Sequence, residues 1–378
     1  MKKIALIGST GSIGVQTLNV IRRYPDKFKV VSLAAGNNAA LFSEQVKEFR
    51  PKVATVARQF DGIDELKKIS EVFVGENAFT NAITGDADLV VIALVGFTGI
   101  IAVLDALDKG KDVALANKES LVVGGDIVMK KAREKGLKIL PIDSEHSAVW
   151  QALGFDFSAP FKRIILTASG GAFRDKTVEE LKTVTAADAL KHPNWTMGAK
   201  ITVDCATLVN KAFEVTEAKW LYDTAFDKID VIIHRESIIH SCVEYKDGSC
   251  IAQMGYPTME LPIQIALSYP ERLSPVTESL NFSKIGKLTF SELDEQRFPA
   301  FREVVNAAKK GGAYPAVANG ANDTAVRLFL ENRIGFNDIY AGIAGALNAY
   351  KGGYGGDFDS LKAANDFAAR YVTDKFGV

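Results

Sequence analysis

Two carboxylates stand one residue apart in the stretch LPIDSEHSAVW, where an apolar run ends and a helical pattern begins. Residues two apart in an extended segment point the same way, so Asp143 and Glu145 can face one site. Such a pair could ligate a metal, exchange protons or begin a helix. The last possibility stays open, because Ser144 and Glu145 also suit a helix N-terminus.

A third carboxylate lies in the stretch KITVDCATLVNKAFEVTEAKWLY, which predicts a strand entry followed by an amphipathic helix. Asn210, Lys211 and Glu214 are spaced by four and three residues and therefore share one helix face. On a surface helix, Lys211 and Glu214 would form a solvated ion pair. In a site, Asn210 and Lys211 could bind phosphate while Glu214 reaches a cation. Three carboxylates without a matching Cys or His set favour Mg2+ or Mn2+, with substrate oxygens completing the coordination.

The first 143 residues alternate between short apolar runs and helical patterns. The seven runs are rich in Val, Ile, Leu and Ala, as expected of strands that are covered on both faces. This alternation predicts βαβ units in a doubly wound parallel sheet, a Rossmann-like α/β domain. Ligands bind at the carboxyl ends of such strands, and the last strand would deliver Asp143 and Glu145 there.

A glycine-rich turn, GSTGSIG, follows the first strand and opens the first helix. Gly8, Gly11 and Gly14 give the spacing G-x-x-G-x-x-G, which departs from the strict dinucleotide motif. The glycines still permit a tight turn and close approach of a pyrophosphate, and the N–H groups of the helix start favour an anion. The alternative is a simple strand–helix turn.

The second strand ends in Ala35-Gly36-Asn37-Asn38, without the acidic residue that accepts from the ribose hydroxyls in NAD enzymes. Its absence permits the 2′-phosphate of NADP, which a carboxylate would repel. No arginine supplies a positive clamp either, so the preference for NADP is inferred indirectly.

Composition sets limits on the function. The chain has 378 residues, 47% of them apolar, which indicates about two to three domains. Lys and Arg number 45 against 46 Asp and Glu, so nothing predicts a nucleic-acid or membrane partner. Three cysteines without a CxxC pair argue against a disulfide framework and a structural zinc site. No apolar run reaches the ~18 residues of a membrane span and no signal-peptide pattern is present, so we expect a cytoplasmic protein.

Six motifs carry a resemblance: GSTGSIG, ALANKES, DSEH, SGG, HPNWTMG and VDCATLVNKAFE, in this order. Together they closely resemble the 1-deoxy-D-xylulose 5-phosphate reductoisomerase family over nearly the whole chain. The resemblance implies an NADPH-dependent, metal-dependent oxidoreductase with isomerase activity in non-mevalonate isoprenoid biosynthesis. Its substrate would be a sugar phosphate, its product 2-C-methyl-D-erythritol 4-phosphate, and its assembly a homodimer.

The resemblance also implies roles for individual residues. The metal ligands would be Asp143, Glu145 and Glu214, which with Lys118 form the catalytic set. Lys118, Glu145 and Glu214 would also contact substrate. The other substrate contacts would be Ser144, Ser169, His192, Cys205, Asn210 and Lys211. The cofactor contacts would be Thr10, Gly11, Ser12 and Ile13 at the diphosphate, Gly36, Asn37 and Asn38 near the adenosine ribose, Asn117 and Glu119, and Gly198 near the nicotinamide.

Two positions depart from the family pattern. Cys205 stands where the family usually has Ser in VDSAT, and a thiol is a larger group and a weaker donor than a hydroxyl. One phosphate contact would therefore be weakened. Asn37 stands where some members carry Lys, which bears on the contact to the 2′-phosphate.

The domain organisation follows from these patterns. We predict an NADPH-binding domain at 1–143, a catalytic metal- and substrate-binding domain at 144–268, a linker at 269–298 and a helical bundle at 299–378.

The segment 169–199 predicts a lid with a short helix, in which Trp195 either covers substrate or anchors packing. An Asp247-Gly248 pair predicts a hairpin on the dimer surface, and His234 and His240 on one apparent strand favour structural roles.

The chemistry is plausible for these residues. A divalent ion bound to the carbonyl and adjacent hydroxyl of a ketose phosphate promotes carbon–carbon cleavage and re-formation, or an equivalent concerted shift. Hydride from NADPH then reduces the branched aldehyde, while Lys118 balances negative charge.

Two other classes of protein stay open: a different NADP dehydrogenase of the homoserine or malate type, and a non-enzymatic cofactor-binding regulator.

Overall fold

The computed structural model describes residues 1–76 and 78–377. They form two compact units. The first comprises Met1–Ser120, Val128–Ser147 and Thr258–Glu278. The second comprises Leu121–Ile127, Ala148–Pro257 and the described chain from Ser279 onward. The domain boundaries that the sequence predicts at 143, 268 and 298 stay predictions.

The strands follow one another in two groups along the chain. They are β1 (Lys2–Ile7), β2 (Phe28–Ala35), β3 (Val53–Val56), β4 (Glu71–Val74), β5 (Leu89–Ile92), β6 (Asp112–Leu115), β7 (Ile139–Pro141), β8 (Arg163–Ala168), β9 (Ile229–Ile233), β10 (Ile239–Glu244), β11 (Cys250–Met254) and β12 (Ser291–Glu292).

The α-helices alternate with the early strands and dominate the last eighty residues or so. They are α1 (Ser12–Arg23), α2 (Ala39–Phe49), α3 (Ile63–Lys67), α4 (Gly99–Asp108), α5 (Glu119–Lys135), α6 (Ser144–Ala152), α7 (Ala186–Ala189), α8 (Ala199–Ala206), α9 (Val209–Leu221), α10 (Glu260–Ser268), α11 (Phe282–Ile285), α12 (Pro299–Lys310), α13 (Tyr314–Leu330), α14 (Phe336–Ala349) and α15 (Phe358–Phe376).

The first unit contains a seven-stranded sheet in the order β4-β3-β2-β1-β5-β6-β7, with every neighbouring pair parallel. The central strands are buried almost throughout, which is why their sequences are continuous apolar runs. From β1 the chain winds outward through β2, β3 and β4, and from β5 it winds in the opposite direction through β6 and β7. The carboxyl ends of β1 and β5 therefore mark the switch point of a doubly wound fold. The predicted Rossmann-like sheet is confirmed.

Two helices of this unit end where proline makes continuation unfavourable. Helix α1 stops at Arg23, two residues before Pro25, and α2 stops at Phe49, two residues before Pro51. The residue before a proline avoids the helical region because it clashes with the proline ring. Arg50 closes α2 in the left-handed conformation, with a φ of 46°. These stops let each helix return the chain to the amino end of the next parallel strand.

The second unit contains a five-stranded sheet in the order β11-β10-β8-β9-β12, in which only β8 and β9 run parallel. The hairpin predicted at Asp247-Gly248 joins β10 to β11, and Gly248 has the positive φ of 87° that such a turn requires. The segment 269–298 was expected to be a linker, but it also supplies β12, which pairs with β9.

Two local predictions in this unit are wrong. The strand entry predicted before α9 is the helix α8, although Ile201, Thr202 and Val203 are β-branched and disfavour helix. Burial of the helix side that carries Thr202 and Val203 outweighs that weak preference. The single strand predicted to carry His234 and His240 is broken between β9 and β10, where Ser237 has a φ of 52°.

The C-terminal bundle of α12 to α15 is confirmed, with α13 at its centre in contact with α12, α14 and α15. Small residues allow close packing there: a Cβ on Gly320 would lie 2.3 Å from the carbonyl oxygen of Asn365 in α15. Helix α13 also contacts α8, and α12 contacts α9, so the bundle supports the helices that carry candidate site residues. Every helix of the described chain is too short or too polar to cross a bilayer.

Candidate functional site

The glycine-rich turn after β1 has the close backbone packing of a dinucleotide-binding turn. Gly8 has a φ of 96°, and a Cβ there would lie 2.5 Å from the carbonyl oxygen of Ala93. A Cβ on Gly14 would lie 2.2 Å from the carbonyl oxygen of Gly8. Both positions therefore require glycine, one for the turn and one for helix–strand packing. The simple-turn alternative does not explain two such close approaches in seven residues.

The N-terminus of α1 is suited to an anion. Gly11 is its N-cap residue, no side chain caps it, and its first turn carries no acidic residue. Gly11 and Ser12 are exposed, and Thr10 and Ile13 are half-buried. Free N–H groups and the helix dipole at such an end stabilise a diphosphate. The residues predicted to hold the diphosphate therefore fit the group.

The carboxyl end of β2 carries three exposed residues, Gly36, Asn37 and Asn38. The side chain of Asn38 caps α2, because its Oδ1 accepts a hydrogen bond from the N–H of Leu41 at 3.2 Å. A Cβ on Gly36 would meet no atom within 4 Å, so space is open there. This end of the sheet could admit an adenosine ribose, with the exposed amide of Asn37 as a donor.

Asn117 is a structural residue as well as a predicted cofactor contact. Its Nδ2 donates to the carbonyl oxygens of Leu94 and Gly96 at 3.1 and 3.0 Å and to Glu119 at 2.8 Å. Its Oδ1 accepts from the N–H of Ser120 at 3.0 Å, in the first turn of α5. Asn117 and Glu119 are buried. The amide of Asn117 thus stabilises the loop after β5 through these hydrogen bonds. The sequence did not predict this structural role.

Asp143 follows β7 and divides its carboxylate between two partners. Oδ1 accepts the N–H groups of Glu145 and His146 at 3.0 Å each, which caps α6. Oδ2 accepts a hydrogen bond from Lys118 Nζ. Burial alone would raise the pKa of Asp143, but the charge of Lys118, that of His146 and the Lys118 hydrogen bond hold it well below its usual range. The carboxylate is ionised at neutral pH.

The helix-start alternative for DSEH is therefore correct in part. The capping residue is Asp143, and the two residues proposed as caps lie in the first turn of α6. Ser144 Oγ donates to Glu145 Oε2 at 2.6 Å, and Ser144 is buried. Capping uses one oxygen of Asp143 only. It does not exclude a ligand at the other oxygen.

Helix α9 presents Asn210, Lys211 and Glu214 side by side. Asn210 Nδ2 donates to Glu214 Oε1 at 2.6 Å, and Lys211 Nζ pairs with Glu214 Oε2. Glu214 is 1% exposed and Lys211 5% exposed. The solvated ion pair of an ordinary surface helix is therefore excluded. Buried charges of this kind are costly unless paired, and they are often retained for function.

Asp143, Glu145 and Glu214 form a group of potential metal ligands among the described residues. One carboxylate oxygen of each lies within 4.8 Å of the corresponding atoms of the other two. An all-oxygen donor set of this kind suits a hard divalent cation. The residues fit the ion that the sequence predicts, while the assignment of the ion itself stays a prediction.

Ser169 and His192 form a hydrogen-bonded pair after β8. Nδ1 of His192 accepts the N–H groups of Asn194 and Trp195 at 3.2 and 3.0 Å, so the ring proton resides on Nε2. Nε2 lies 3.0 Å from Ser169 Oγ and donates to it. Burial, with a smaller effect of the Arg174 charge, lowers the pKa of His192 to about 4. The ring is therefore neutral at physiological pH.

The hydroxyl group of Ser169 keeps its own hydrogen as a donor for a ligand. Ser169 Oγ accepts from His192 Nε2 and from the N–H of Gly171 at 3.3 Å. With both acceptor positions occupied, the hydroxyl hydrogen of Ser169 is available for another acceptor. A phosphate oxygen is an acceptor of the required kind.

The segment 169–199 has the irregular form that its sequence predicts, with α7 and a single 3-10 turn at Glu180–Lys182. Arg174 anchors this segment to the ends of β8 and β9. Its Nη1 donates to the carbonyl oxygens of Ser169 and Arg235, which follow these strands, at 3.1 Å each. The ring of Trp195 packs edge-on against His240 at 5.9 Å. That contact favours the packing interpretation of Trp195, and its role in a lid stays a prediction.

Cys205 and Gly198 lie at opposite ends of α8. Gly198 is its N-cap residue and is exposed, and Cys205 is half-buried near the other end. The backbone of Cys205 packs against Gly171, where a Cβ would lie 2.3 Å from the Cys205 carbonyl oxygen. His234, by contrast, is fully buried and accepts the N–H groups of Ile238 and Ile239 through Nε2, as expected of a structural histidine.

Sequence reasoning overlooked one charged residue at the cofactor edge. Arg58 is the second residue after β3 and is exposed. The search for a positive clamp covered only the residues after β2. Strand β3 pairs with β2 in parallel, so its carboxyl end belongs to the same edge. The signal would have been the side-by-side pairing of β2 and β3 that a doubly wound sheet implies.

Three family models match most of the chain. A model described as 1-deoxy-D-xylulose 5-phosphate reductoisomerase matches residues 4–125, and the C-terminal domain of the same enzyme matches 139–222. A further DXP reductoisomerase C-terminal domain matches 254–371.

Full-length relatives agree with these models. The 1-deoxy-D-xylulose 5-phosphate reductoisomerase of Gloeobacter violaceus is 46% identical, covering 98% of this chain and 97% of its own. The protein of the same name from Chlorobium limicola is 46% identical with complete coverage of both chains.

Solved structures of the same name share the fold. The Zymomonas mobilis enzyme in complex with NADPH has a TM-score of 0.92 at 37% identity and covers 99% of both chains. A DOX-P reductoisomerase in complex with NADPH, fosmidomycin and magnesium has a TM-score of 0.93 at 33% identity, covering 100% of this chain and 98% of its own.

Proposed function

Because the chain belongs to the 1-deoxy-D-xylulose 5-phosphate reductoisomerase family, we propose that it converts 1-deoxy-D-xylulose 5-phosphate to 2-C-methyl-D-erythritol 4-phosphate. The reaction rearranges the carbon skeleton and then reduces it with NADPH, in the presence of Mg2+ or Mn2+. The observation that carries this proposal is the three-carboxylate group of Asp143, Glu145 and Glu214 in a chain that also has a dinucleotide-binding turn.

NADPH binds at the carboxyl edge of the seven-stranded sheet. Gly11, Ser12 and Ile13 hold the diphosphate at the N-terminus of α1, where uncapped N–H groups and the absence of acidic residues favour an anion. Gly36 and Asn37 lie at the adenosine ribose, where open space is available. We also propose that Gly198 lies near the nicotinamide ring.

The carboxylates of Asp143, Glu145 and Glu214 would hold the divalent ion. When bound, it polarises the substrate's carbonyl and adjacent hydroxyl oxygens as a Lewis acid. Lysines pair with two of these carboxylates: Lys118 with Asp143, and Lys211 with Glu214. We assign both lysines, which already lie at these carboxylates, to oxygens of the substrate.

The lysines then serve two separate groups of the substrate. Lys118 lies beside Asp143 and balances the negative charge that develops on the substrate oxygens during carbon–carbon cleavage. Lys211 adjoins Asn210, whose amide is the second donor for an anionic group. We assign these two residues to the substrate phosphate, together with Ser169, His192 and Cys205.

The Ser169–His192 pair suits a phosphate at neutral pH. The neutral ring fixes the Ser169 hydroxyl as a donor toward the phosphate. A neutral His192 also keeps its hydrogen-bond pattern constant across the physiological range. Positive charge for the phosphate then comes from Lys211, and the Ser169 hydroxyl is an uncharged donor whose orientation His192 fixes.

A dehydrogenase of the homoserine or malate type and a non-enzymatic regulator are disfavoured by the family membership. Identification of the product separates these possibilities. Incubation with the ketose phosphate, NADPH and Mg2+ should yield the branched methylerythritol phosphate, recognisable by its carbon connectivity in NMR. Reduction without rearrangement would support the dehydrogenase, and no turnover would support the regulator. The homodimer and the cytoplasmic location stay predictions of the family resemblance.

A further inference from the structure

The cofactor edge of the sheet carries an unassigned cation, Arg58. Residues Ala35 of β2 and Val56 of β3 are partners in the parallel register, and the N–H of Ala57 donates to the carbonyl oxygen of Ala35 at 3.2 Å. Asn37 and Arg58 each lie two residues beyond these partners. The register therefore places Arg58 beside Asn37 at the carboxyl edge of the sheet.

Arg58 is not used in holding the fold together. It is exposed, and among residues 1–76 and 78–377 no ion pair or hydrogen bond of its side chain is found. Glu76 follows β4 at the same offset from the register partner Val74, yet no ion pair joins it to Arg58 in that described part. The charge of Arg58 is thus available to a ligand.

Asn37 cannot discriminate NADPH from NADH by charge. Its amide is neutral, and Asn38 beside it is engaged in capping α2. Discrimination requires a group that favours the doubly charged 2′-phosphate on the adenosine ribose, and an arginine fork matches phosphate oxygens in geometry and charge. In the loops that follow β1, β2 and β3, residues 8–11, 36–38 and 57–62 of the described chain, Arg58 is the one cationic side chain.

We propose that Arg58 binds the 2′-phosphate of NADPH and determines the preference of this protein for NADPH over NADH. The proposal rests on the NADPH site proposed above. The residue that selects between NADPH and NADH usually follows the second strand, whereas Arg58 follows the neighbouring strand β3. Asn37, after β2, therefore needs no charge of its own.

Equilibrium binding tests this without turnover. Cofactor fluorescence gives dissociation constants for NADPH and NADH, and displacement by adenosine 2′,5′-bisphosphate or ADP isolates the 2′-phosphate. Arg58→Ala should weaken NADPH binding about tenfold or more, equivalent to about 1.4 kcal/mol, and leave NADH binding unchanged. Arg58→Lys should recover part of the loss, because it restores the charge but not the fork.

Two variants serve as controls. Arg133→Ala removes one exposed arginine in the last turn of α5, and should leave both dissociation constants unchanged. Glu76→Gln removes the nearest acidic competitor in register, and should leave NADPH binding unchanged or tighter.

The outcomes separate the two proposals. If the unaltered protein binds neither nucleotide, the proposed NADPH site is wrong. If it prefers NADPH and Arg58→Ala retains that preference, or loses NADPH and NADH binding equally, the role of Arg58 is wrong. Circular dichroism of each variant verifies that the fold is retained.

Discussion

Lys118 Nζ donates a hydrogen bond to Asp143 Oδ2, while the other oxygen of the same carboxylate caps α6. One side chain thus has a structural function and an electrostatic function on separate atoms. The capping interaction fixes the position of the carboxylate, and the lysine keeps it ionised before a ligand arrives. Substitutions of Asp143 can separate these two functions.

Asp143→Asn and Asp143→Ala should both lose affinity for Mg2+ and Mn2+, but they should differ in stability. Asparagine keeps an oxygen that accepts the N–H groups of Glu145 and His146, so the cap survives. Alanine removes it and should cost about 1 kcal/mol more in free energy of unfolding. Metal titration by calorimetry and unfolding in EDTA measure the two effects.

A matched control is Asp112→Asn, which changes another carboxylate that accepts a backbone N–H, that of Lys138 at 2.8 Å. This variant should bind the metal normally. Normal metal binding by Asp143→Asn would contradict the proposed site and leave capping as the sole role of Asp143.

His192 predicts a specific pH dependence of stability. Burial lowers its pKa to about 4 in the folded protein, from the ordinary value of 6.5. Between these values the unfolded chain binds more protons, so stability rises with pH. The contribution is complete above pH ~6.5 and is lost as pH falls toward 4.

His192→Asn should therefore flatten the stability curve over that range and weaken binding of a phosphate-bearing substrate. Denaturant unfolding at several pH values measures the first effect. An NMR titration of the ring provides an independent measurement. A His192 that titrates near 6.5 in the folded protein would contradict the hydrogen-bond pattern described for Nδ1.

Cys205→Ser should preserve kcat and leave KM for the ketose phosphate unchanged or lower. A hydroxyl is the smaller group and the stronger donor at a half-buried position next to the proposed phosphate site. Steady-state kinetics measure it, with the exposed Cys250→Ser as the control variant. A large loss of kcat in a folded Cys205→Ser protein would show that the thiol has another role.

Gly14→Ala should destabilise the protein by about 1–3 kcal/mol and weaken NADPH binding, because the added Cβ meets the backbone of Gly8 at 2.2 Å. Gly85→Ala is the control, since a Cβ there meets nothing within 4 Å. Thermal unfolding and fluorescence titration measure both variants. Equal behaviour of the two would show that the glycine turn tolerates a side chain and does not approach the cofactor as closely as proposed.

The parallel sheet was predictable because buried parallel strands are continuous apolar runs, and all seven were located from sequence. Helix α8 was not, since the run Ile201-Thr202-Val203 has strand preference that only tertiary burial overrides. The break at Ser237 was also missed, because a left-handed serine has no sequence signature comparable with that of glycine.

The sequence did not predict site features that depend on strand pairing, or side chains that bind the backbone as well as serving the site. The carboxylates of Asp143, Glu145 and Glu214 were found from residue type and spacing. The capping function of Asp143 and the occupied amide of Asn117 depend on backbone positions that a sequence does not give. Arg58 required the pairing of β2 with β3, which follows from the strand order alone.

The most direct test of the proposed function is the rate of NADPH oxidation with 1-deoxy-D-xylulose 5-phosphate in a protein treated with EDTA and then supplied with Mg2+ or Mn2+. We predict no oxidation without the ion, full recovery on its addition, and less than about one-hundredth of the rate in Glu214→Gln, whose NADPH binding is retained. Undiminished oxidation in EDTA, or normal metal-dependent turnover by Glu214→Gln, would contradict the account.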